Sequence, residues 1–425
     1  MKDSGIEWIG EVPEEWGIKP IKHIFGAIGS GTTPDSSKVE YYDGNINWLQ
    51  SGDLYKKDYV YAVSKTITDL GYRSSASLRI YQAPFLAIAM YGASIGNLAI
   101  SKIDACVNQA VAVLKGEENI VRFTKLALEI SKTELIFAAQ GGTQPNINQV
   151  LIKNWVIPFP SEIEIKKIAD FLDKKVAQLD KVKSLLEEQI KTLEDYRQSL
   201  IYETVTKGLD KTVPLKASGV DWIGQIPEGW EIGRLKDFVK FQTGTTPPQS
   251  VGVNQDESGV PWFKPGDFSD NSIDLLSSEN HITHEVVMQY NLSVYPKKTI
   301  LLVGIASIGK VGYSAQPSYS NQQITALRTI GEIYPRYLAY LMFSSGRFIK
   351  ETALYTVVPI INNQYLATMR LVLPSENEQK IIVEYLDRKL EQINQMIAIK
   401  KEQIENINKQ RQTLIYDYVT GKRRV

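Results

Sequence analysis

"SGIEWIGEVPEEWGIKPIK", Ser4–Lys22, is written a second time as "SGVDWIGQIPEGWEIGRLK", Ser218–Lys236. A near copy roughly 214 positions later, in a chain of 425 residues, decides the architecture before any single motif does. The copying continues beyond this stretch. "GTTP" at Gly31–Pro34 returns at Gly244–Pro247, and "NWLQSGDL" at Asn47–Leu54 is matched by "PWFKPGDF" at Pro261–Phe268. "ASIG" at Ala93–Gly96 returns at Ala306–Gly309, and Asn108-Gln109 returns as Asn321-Gln322. One fold is therefore encoded twice.

Each copy ends in a different texture. Residues 161–207 and 375–421 contain no proline, and Gly421 at the second limit is their one glycine. In the first stretch Ile165, Leu172, Leu179, Leu186, Leu193 and Leu200 recur every seventh position. In the second, Leu386, Leu390, Ile393, Ile397, Ile404, Ile407 and Leu414 keep three- and four-residue spacing, with Lys400 and Arg411 as polar interruptions. Such a seam predicts long coiled-coil helices, each on the order of 68 Å at about 1.5 Å per residue. Ser161 and Ser375 stand where N-caps belong, with acids in the first turn. A long amphipathic helix cannot bury its seam alone, so the two are expected to pair, antiparallel, with a globule at each end. Pairing in trans would instead make an obligate dimer.

The fold class is mixed α/β, a pseudo-two-fold duplication of two globules and two long helices. The expected divisions are a globule at 1–160, a helix at 161–207, a linker at 208–217, a second globule at 218–374 and a second helix at 375–421. "APFLAIAM", "VNQAVAVL", "NWVIPFP", "YPKKTILLVGI" and "MRLVLP" read as buried strands. "TKLALEISKTELIFAAQ" and "PRYLAYLMFSSGRFIKETA" each read as a helix.

Composition narrows the function classes. The 48 Lys and Arg balance 48 Asp and Glu, which removes the simple electrostatic argument for nucleic acid without excluding a locally basic face. One cysteine, Cys106, forbids an intrachain disulfide and suits a reducing cytosol. No long apolar run predicts a membrane span, and the charged, polar N-terminus is not expected to be a signal peptide. A cytoplasmic location is expected.

Catalytic motifs are missing. "GIASIGK", Gly304–Lys310, matches the start of a phosphate loop, but Val311 stands where Ser or Thr would hold magnesium. The first copy has Tyr91 and Asn97 in place of Gly304 and Lys310. His281 and His284 lack further ligands nearby, so no metal site is expected. Cys106 reads as a small core residue. No G-x-S-x-G occurs, nor the N/D-P-P-F/Y stretch of amino-methyltransferases. Asp53 and Asp267, in the shared Gly-Asp, read as turn formers. The chain has the character of a reader or scaffold and is not expected to be an enzyme.

The repeated openings, the two "GTTP" stretches, the Gly-Asp and Ala-Ser-Ile-Gly turns, the helix entry "LPSENEQKIIVEYLD" and the exits "RQSLIYETVTKG" and "RQTLIYDYVTGK" together resemble the specificity subunit of type I restriction–modification systems. The resemblance spans essentially the whole chain. It implies that the globules are target recognition domains, each reading one half of an asymmetric, split sequence in double-stranded DNA. It implies that the helices set the spacing and dock two methyltransferase subunits. S-adenosylmethionine would then sit on those subunits, ATP and Mg on separate restriction subunits, and no cofactor on this chain. The second helix carries Glu378-Gln379 where the first has Glu164-Ile165, so docking through that glutamine would be unequal.

Candidate DNA contacts are Thr32, Thr33, Lys38, Lys56, Lys57, Arg73 and Arg79 in the first copy. In the second they are Thr245, Thr246, Lys264, Lys297, Lys298 and Lys310. The polar loops Ser30–Lys38, Gly141–Asn148 and Thr243–Ser250 are expected to carry such contacts, since polar groups read base edges and phosphate contacts position the protein. Trp8, Trp16, Trp222 and Trp230 belong to the shared framework and are expected in the core. The competing reading is a coiled-coil adaptor that assembles protein partners without reading DNA, which suits the zero net charge. DNA binding that weakens steeply with salt separates the two.

Overall fold

The computed structural model describes residues 1–139, 145–247, 259–352 and 360–425. The chain forms two compact units. The first comprises Met1–Leu186 with Glu402–Val425, and the second Glu187–Lys401. The long helices run Glu162–Lys207 and Glu376–Val419. Each compact unit therefore contains a globule and a portion of both helices, which is not the division that the sequence texture suggests.

The two globules share one strand topology. In the first, a five-stranded sheet has the order Ala27–Ser30, Val111–Lys115, Phe85–Ala89, Leu98–Ser101, Tyr59–Val60. The second repeats it with Val239–Thr243, Ile324–Thr329, Thr299–Val303, Val311–Ser314 and Asp274–Leu275. All neighbours are antiparallel except the last pair of each sheet. The middle strands Phe85–Ala89 and Thr299–Val303 are buried at every residue. A strand covered on both faces reads as continuous apolar sequence, which is why "APFLAIAM" and "TILLV" are legible. A three-stranded sheet accompanies each, built on Tyr42–Leu49 and on Val260–Phe263.

The helices read as "TKLALEISKTELIFAAQ" and "PRYLAYLMFSSGRFIKETA" are each two helices. Glu118–Ile130 breaks before Lys132–Ala138, and Pro335–Ser344 before Gly346–Thr352. The breaks fall at Ser131 and Ser345, both fully buried. Their hydroxyls donate to Ala127 O and Met342 O, a local bond that competes with helix continuation.

The duplicated opening packs as framework. Gly17–Pro20 pairs with Val156–Phe159, and Glu231–Arg234 with Arg370–Leu373, just before each long helix. Trp16 Nε1 donates to Glu164 at 3.4 Å, and Trp230 Nε1 to Glu378 at 3.0 Å. In the first unit Ile9, Val12 and Trp16 share a core with Ile165, Ile168 and Leu172 from the start of one helix and Ile415 and Val419 from the end of the other. In the second, Ile223, Ile226 and Trp230 share one with Ile382, Val383 and Leu386 and with Ile201 and Val205. Trp8 and Trp222 are half-buried and stack on Trp155 and Phe348.

Within each unit the helix segments run antiparallel. Phe171 packs on Tyr418 (centroids 4.6 Å apart) and Asp180 lies 3.4 Å from Arg411. In the second unit Lys400 donates to Gln189 at 2.5 Å and Arg197 to Asn394 at 3.2 Å. Of the seam, Leu172, Leu386 and Ile393 are buried, whereas Leu179, Leu186, Leu193, Leu200, Ile407 and Leu414 are half-buried. Gln379 is 2% exposed. It accepts from the Tyr334 amide at 2.7 Å and donates to Pro374 O at 2.9 Å, so it ties helix to globule within the chain.

Candidate nucleic-acid interface

The two most specific short repeats, "GTTP" and Asn-Gln, meet in space. Antiparallel pairing of Ala27–Ser30 with Val111–Lys115 brings the chain after Ser30 beside the turn before Val111. Gly31 is required there, because a Cβ would stand 1.8 Å from Val107 O. Gly244 is equally confined, at 2.1 Å from Asn321 O. Asn108 and Asn321 fold their own turns by accepting from the amides of Ala110 and Gln323, at 3.1 Å each. Those turns project Gln109 and Gln322. Thr33 Oγ1 donates to Gln109 Oε1 at 2.5 Å, and Thr246 Oγ1 donates to Gln322 Oε1.

A second amide flanks the first in each unit. Gln149 Nε2 donates to Ser30 Oγ at 2.7 Å. Asn363 Nδ2 donates to Thr243 Oγ1 at 3.1 Å and accepts from Thr325 at 2.9 Å. Each of these amides opens a short helix capped by the preceding Asn148 or Asn362. Each site thus presents two amides steadied by hydroxyls, with N–H donors that have no partner among the described residues. An amide so held can donate to a phosphate oxygen or pair with a base edge. The sequence reading missed Gln109, Gln322, Gln149 and Asn363 as site residues. The available signal is the recurrence of Asn-Gln itself.

The predicted residues fall into groups. Thr33 and Thr246 are exposed and belong to the amide cluster, and Thr245 is exposed beside it. Thr32 is half-buried, and its carbonyl accepts from the Trp48 indole at 3.3 Å. Lys38 is exposed, lies over the Tyr41 ring and donates to its hydroxyl at 3.1 Å, which raises its pKa. Lys56, Lys57, Arg73, Arg79, Lys297 and Lys298 are exposed. Lys264 reaches Asn280 at 3.1 Å over the Trp262 ring, and Lys310 is paired with Asp270 at 3.2 Å. Of the polar loops, residues 141–144 and 248–250 lie outside the described residues.

Other sequence features resolve as structure. Asp53 accepts from the amides of Gln50 and Ser64, and Asp267 from that of Lys264, so both shape turns. The phosphate-loop match is a packing turn: a Cβ on Gly309 would meet Gly346 O at 2.5 Å, and Lys310 also donates to Phe268 O at 3.2 Å. His281 is buried in a strand and His284 is exposed at a helix start. Among the described residues no three His, Cys, Asp or Glu side chains group as metal ligands. Cys106 is fully buried, and burial pushes its thiol up to about 12. No helix of the described residues is long and apolar enough to cross a membrane.

The family model "Type I restriction modification DNA specificity domain" matches residues 13–194 and again 227–408. The MjaIX specificity subunit of Methanocaldococcus jannaschii is 24% identical, over 98% of this chain and 95% of the relative. The EcoBI specificity subunit of Escherichia coli is 25% identical, over 71% of this chain and 65% of the relative. A chain from a structure described as the basis of complex assembly and conformational transition of the type I R-M system superposes with a TM-score of 0.76 at 16% identity, covering 96% of this chain and 98% of the other. The HsdS subunit from Thermoanaerobacter tengcongensis gives 0.52 at 17% identity, covering 97% and 98%. With both copies of the repeat matched by that model, the chain belongs to the type I restriction–modification DNA specificity family.

Proposed function

We propose that this chain is the DNA-reading subunit of a type I restriction–modification complex, with each globule reading one half of a split, asymmetric target in double-stranded DNA. The observation that carries this reading is the amide cluster, built at the same place in both globules from "GTTP", Asn-Gln and the capped helix. The Thr–Gln pair of the cluster is the same in both globules and cannot distinguish two different half-sites. It fits a shared positioning role, while discrimination falls to loops where the copies differ. The exposed cations near 38, 56–57, 73, 79 and 297–298 fit phosphate contacts. In this reading the chain performs no catalysis. Two methyltransferase subunits bring S-adenosylmethionine, restriction subunits bring ATP and Mg, and the complex works in the cytoplasm.

Exchange of residues 23–157 for the matching segment of a relative, co-expressed with the methyltransferase subunit, tests the proposal. Methylation mapping is expected to show one altered half-site and one unchanged. A change in both halves, or in neither, overturns it.

A further inference from the structure

The hairpin turn that ends in Ala-Ser-Ile-Gly leaves the sheet at the same end as the amide cluster, in both units. Met90 donates its amide to Ala110 O and accepts from the Ile147 amide, at 2.8 Å each, so it lies between the chain at Gln109 and the chain at Gln149. Gly304 makes the same two bonds, to Gln323 O and from the Ile361 amide, at 2.8 Å each, beside Gln322 and Asn363.

On the far side of each turn three pieces of chain meet, and their charges differ between the copies. In the second unit they are the loop Ser269–Ser272, Lys310 and Gly346. Lys310 lies 3.2 Å from Asp270, and a Cβ on Gly309 would meet Gly346 O at 2.5 Å. The lysine of this corner is therefore neutralised within its own unit, and Arg347, next along the chain, is paired with Glu351 at 2.8 Å.

In the first unit the same places hold the shorter loop Tyr55–Lys57, Asn97 and Lys132. The register follows from the backbone. Asp58 O accepts from the Ile100 amide as Ile273 O does from that of Tyr313, and the buried Ser131 and Ser345 stand directly before Lys132 and Gly346. The stem of Lys132 crosses the turn: a Cβ on Gly96 would stand 2.8 Å from Lys132 Cε, and the ammonium donates to Asn97 Oδ1 at 3.1 Å. The second copy takes its lysine from the turn and the first from the helix, so an ammonium is kept here although its source has moved.

Lys132 is half-buried and makes no ion pair among the described residues. Burial lowers its pKa, against a weaker opposing pull from Glu129. Lys56 and Lys57 are exposed and have no acidic partner among the described residues. The acids beside these lysines in the chain are engaged, Asp58 by Lys125 and Glu129 by Arg411 and Lys125. Glu134 lies two places beyond Lys132 on the helix, a spacing at which side chains do not face one another. Three lysines thus flank one turn without a carboxylate of their own, a local field that attracts an anion.

We propose that Lys56, Lys57 and Lys132 clamp the phosphate backbone of DNA at the first half-site, and that the second unit lacks this clamp because Asp270 already neutralises Lys310. The inference rests on the DNA-reading function and deepens it: the two halves of the target are held with unequal electrostatic grip.

Salt titration of target binding by the assembled complex tests it. Lys132→Met keeps the stem on Gly96 and removes the charge. It is expected to melt no lower than the parent, to keep the parent's methylation pattern, and to reduce the slope of log affinity against log salt by about 0.9, so that the loss of affinity between about 50 and 200 mM salt shrinks roughly three- to fourfold. Lys56→Ser with Lys57→Ser is expected to reduce the slope by about twice as much. Asp270→Asn, at an exposed acid, frees Lys310 and is expected to steepen the slope by about 0.9. An unchanged slope in Lys132→Met or in Asp270→Asn overturns the proposal and leaves the DNA-reading function standing. A lower melting temperature in Lys132→Met assigns the lysine to packing and overturns it too. A parent complex that binds no DNA overturns both readings.

Discussion

Thr33 and Gln109, separated by 76 residues in the chain, are joined side chain to side chain, and Thr246 and Gln322 repeat the bond at the same separation. Under the proposed function, their identity in both units fits a pair that positions DNA without selecting bases. Gln109→Ala is expected to weaken DNA binding of the assembled complex roughly three- to tenfold, the worth of about one hydrogen bond. Methylation mapping should return the same bases at both half-sites. A changed base preference in the first half-site would assign Gln109 to base reading instead.

The seam is unequally buried, and substitutions along it should follow that gradient. Leu172→Ala and Leu386→Ala, at fully buried positions, are expected to cost about 2–5 kcal/mol each. Leu186→Ala and Leu193→Ala, half-exposed, are expected to cost clearly less. Urea unfolding followed by circular dichroism measures the difference, and equal losses along the helix would contradict the packing.

Shortening the helices tests whether they set the gap between half-sites. The register that joins Gln189 to Lys400 and Arg197 to Asn394 shows that the stretch facing Gln395–Lys401 is Gln189–Asp195. The sequence-equivalent stretch Lys181–Glu187 lies elsewhere in the pair. Deleting the two facing heptads keeps the seam in phase and removes about 10 Å of helix. Methylation should move to targets whose spacer is shorter by up to roughly three base pairs, at about 3.4 Å each. The same bases at the original spacing would show that something other than the helices measures the distance.

Lys125 supplies a pH signature of the first unit. Burial opposes its charge, but Glu129 and Asp58 raise its pKa above the ordinary 10.5. A folded-state pKa above the unfolded one gives stability that is complete below the ordinary lysine value and lost as pH rises through the folded value. The stability advantage of the parent chain over Lys125→Met should therefore be constant from neutral pH to about pH 10 and shrink above it. Denaturant unfolding of both proteins across that range measures it, and an advantage that persists unchanged would mean that the lysine does not act through its charge.

Much of the fold was legible because its signals are local. The long helices were bounded to within two residues by proline, serine caps and heptads, and the doubly covered strands by unbroken apolar runs. The breaks at Ser131 and Ser345 were not, since an apolar helical pattern continues across them and the cause is a side-chain bond. The amide cluster was illegible for another reason. Thr33 meets Gln109 only after the sheet has chosen its strand order, and nothing local to either residue announces the other. Exposed lysines, by contrast, were easy to find and hard to rank, because sequence does not say which already have partners, as Lys310 has in Asp270.

The second compact unit is one continuous stretch of chain, while the first is closed by residues 402–425. On a ribosome the first globule emerges early but lacks Ile415 and Val419, which complete the core around Ile9 and Trp16. Its edge stays unfinished until Ile415 and Val419 are made. The order of completion then runs against the order of synthesis, with the second unit whole before the first. A chain that stopped before Ile415 would damage the globule built from the earliest residues, so a late truncation would register as loss of the first reader.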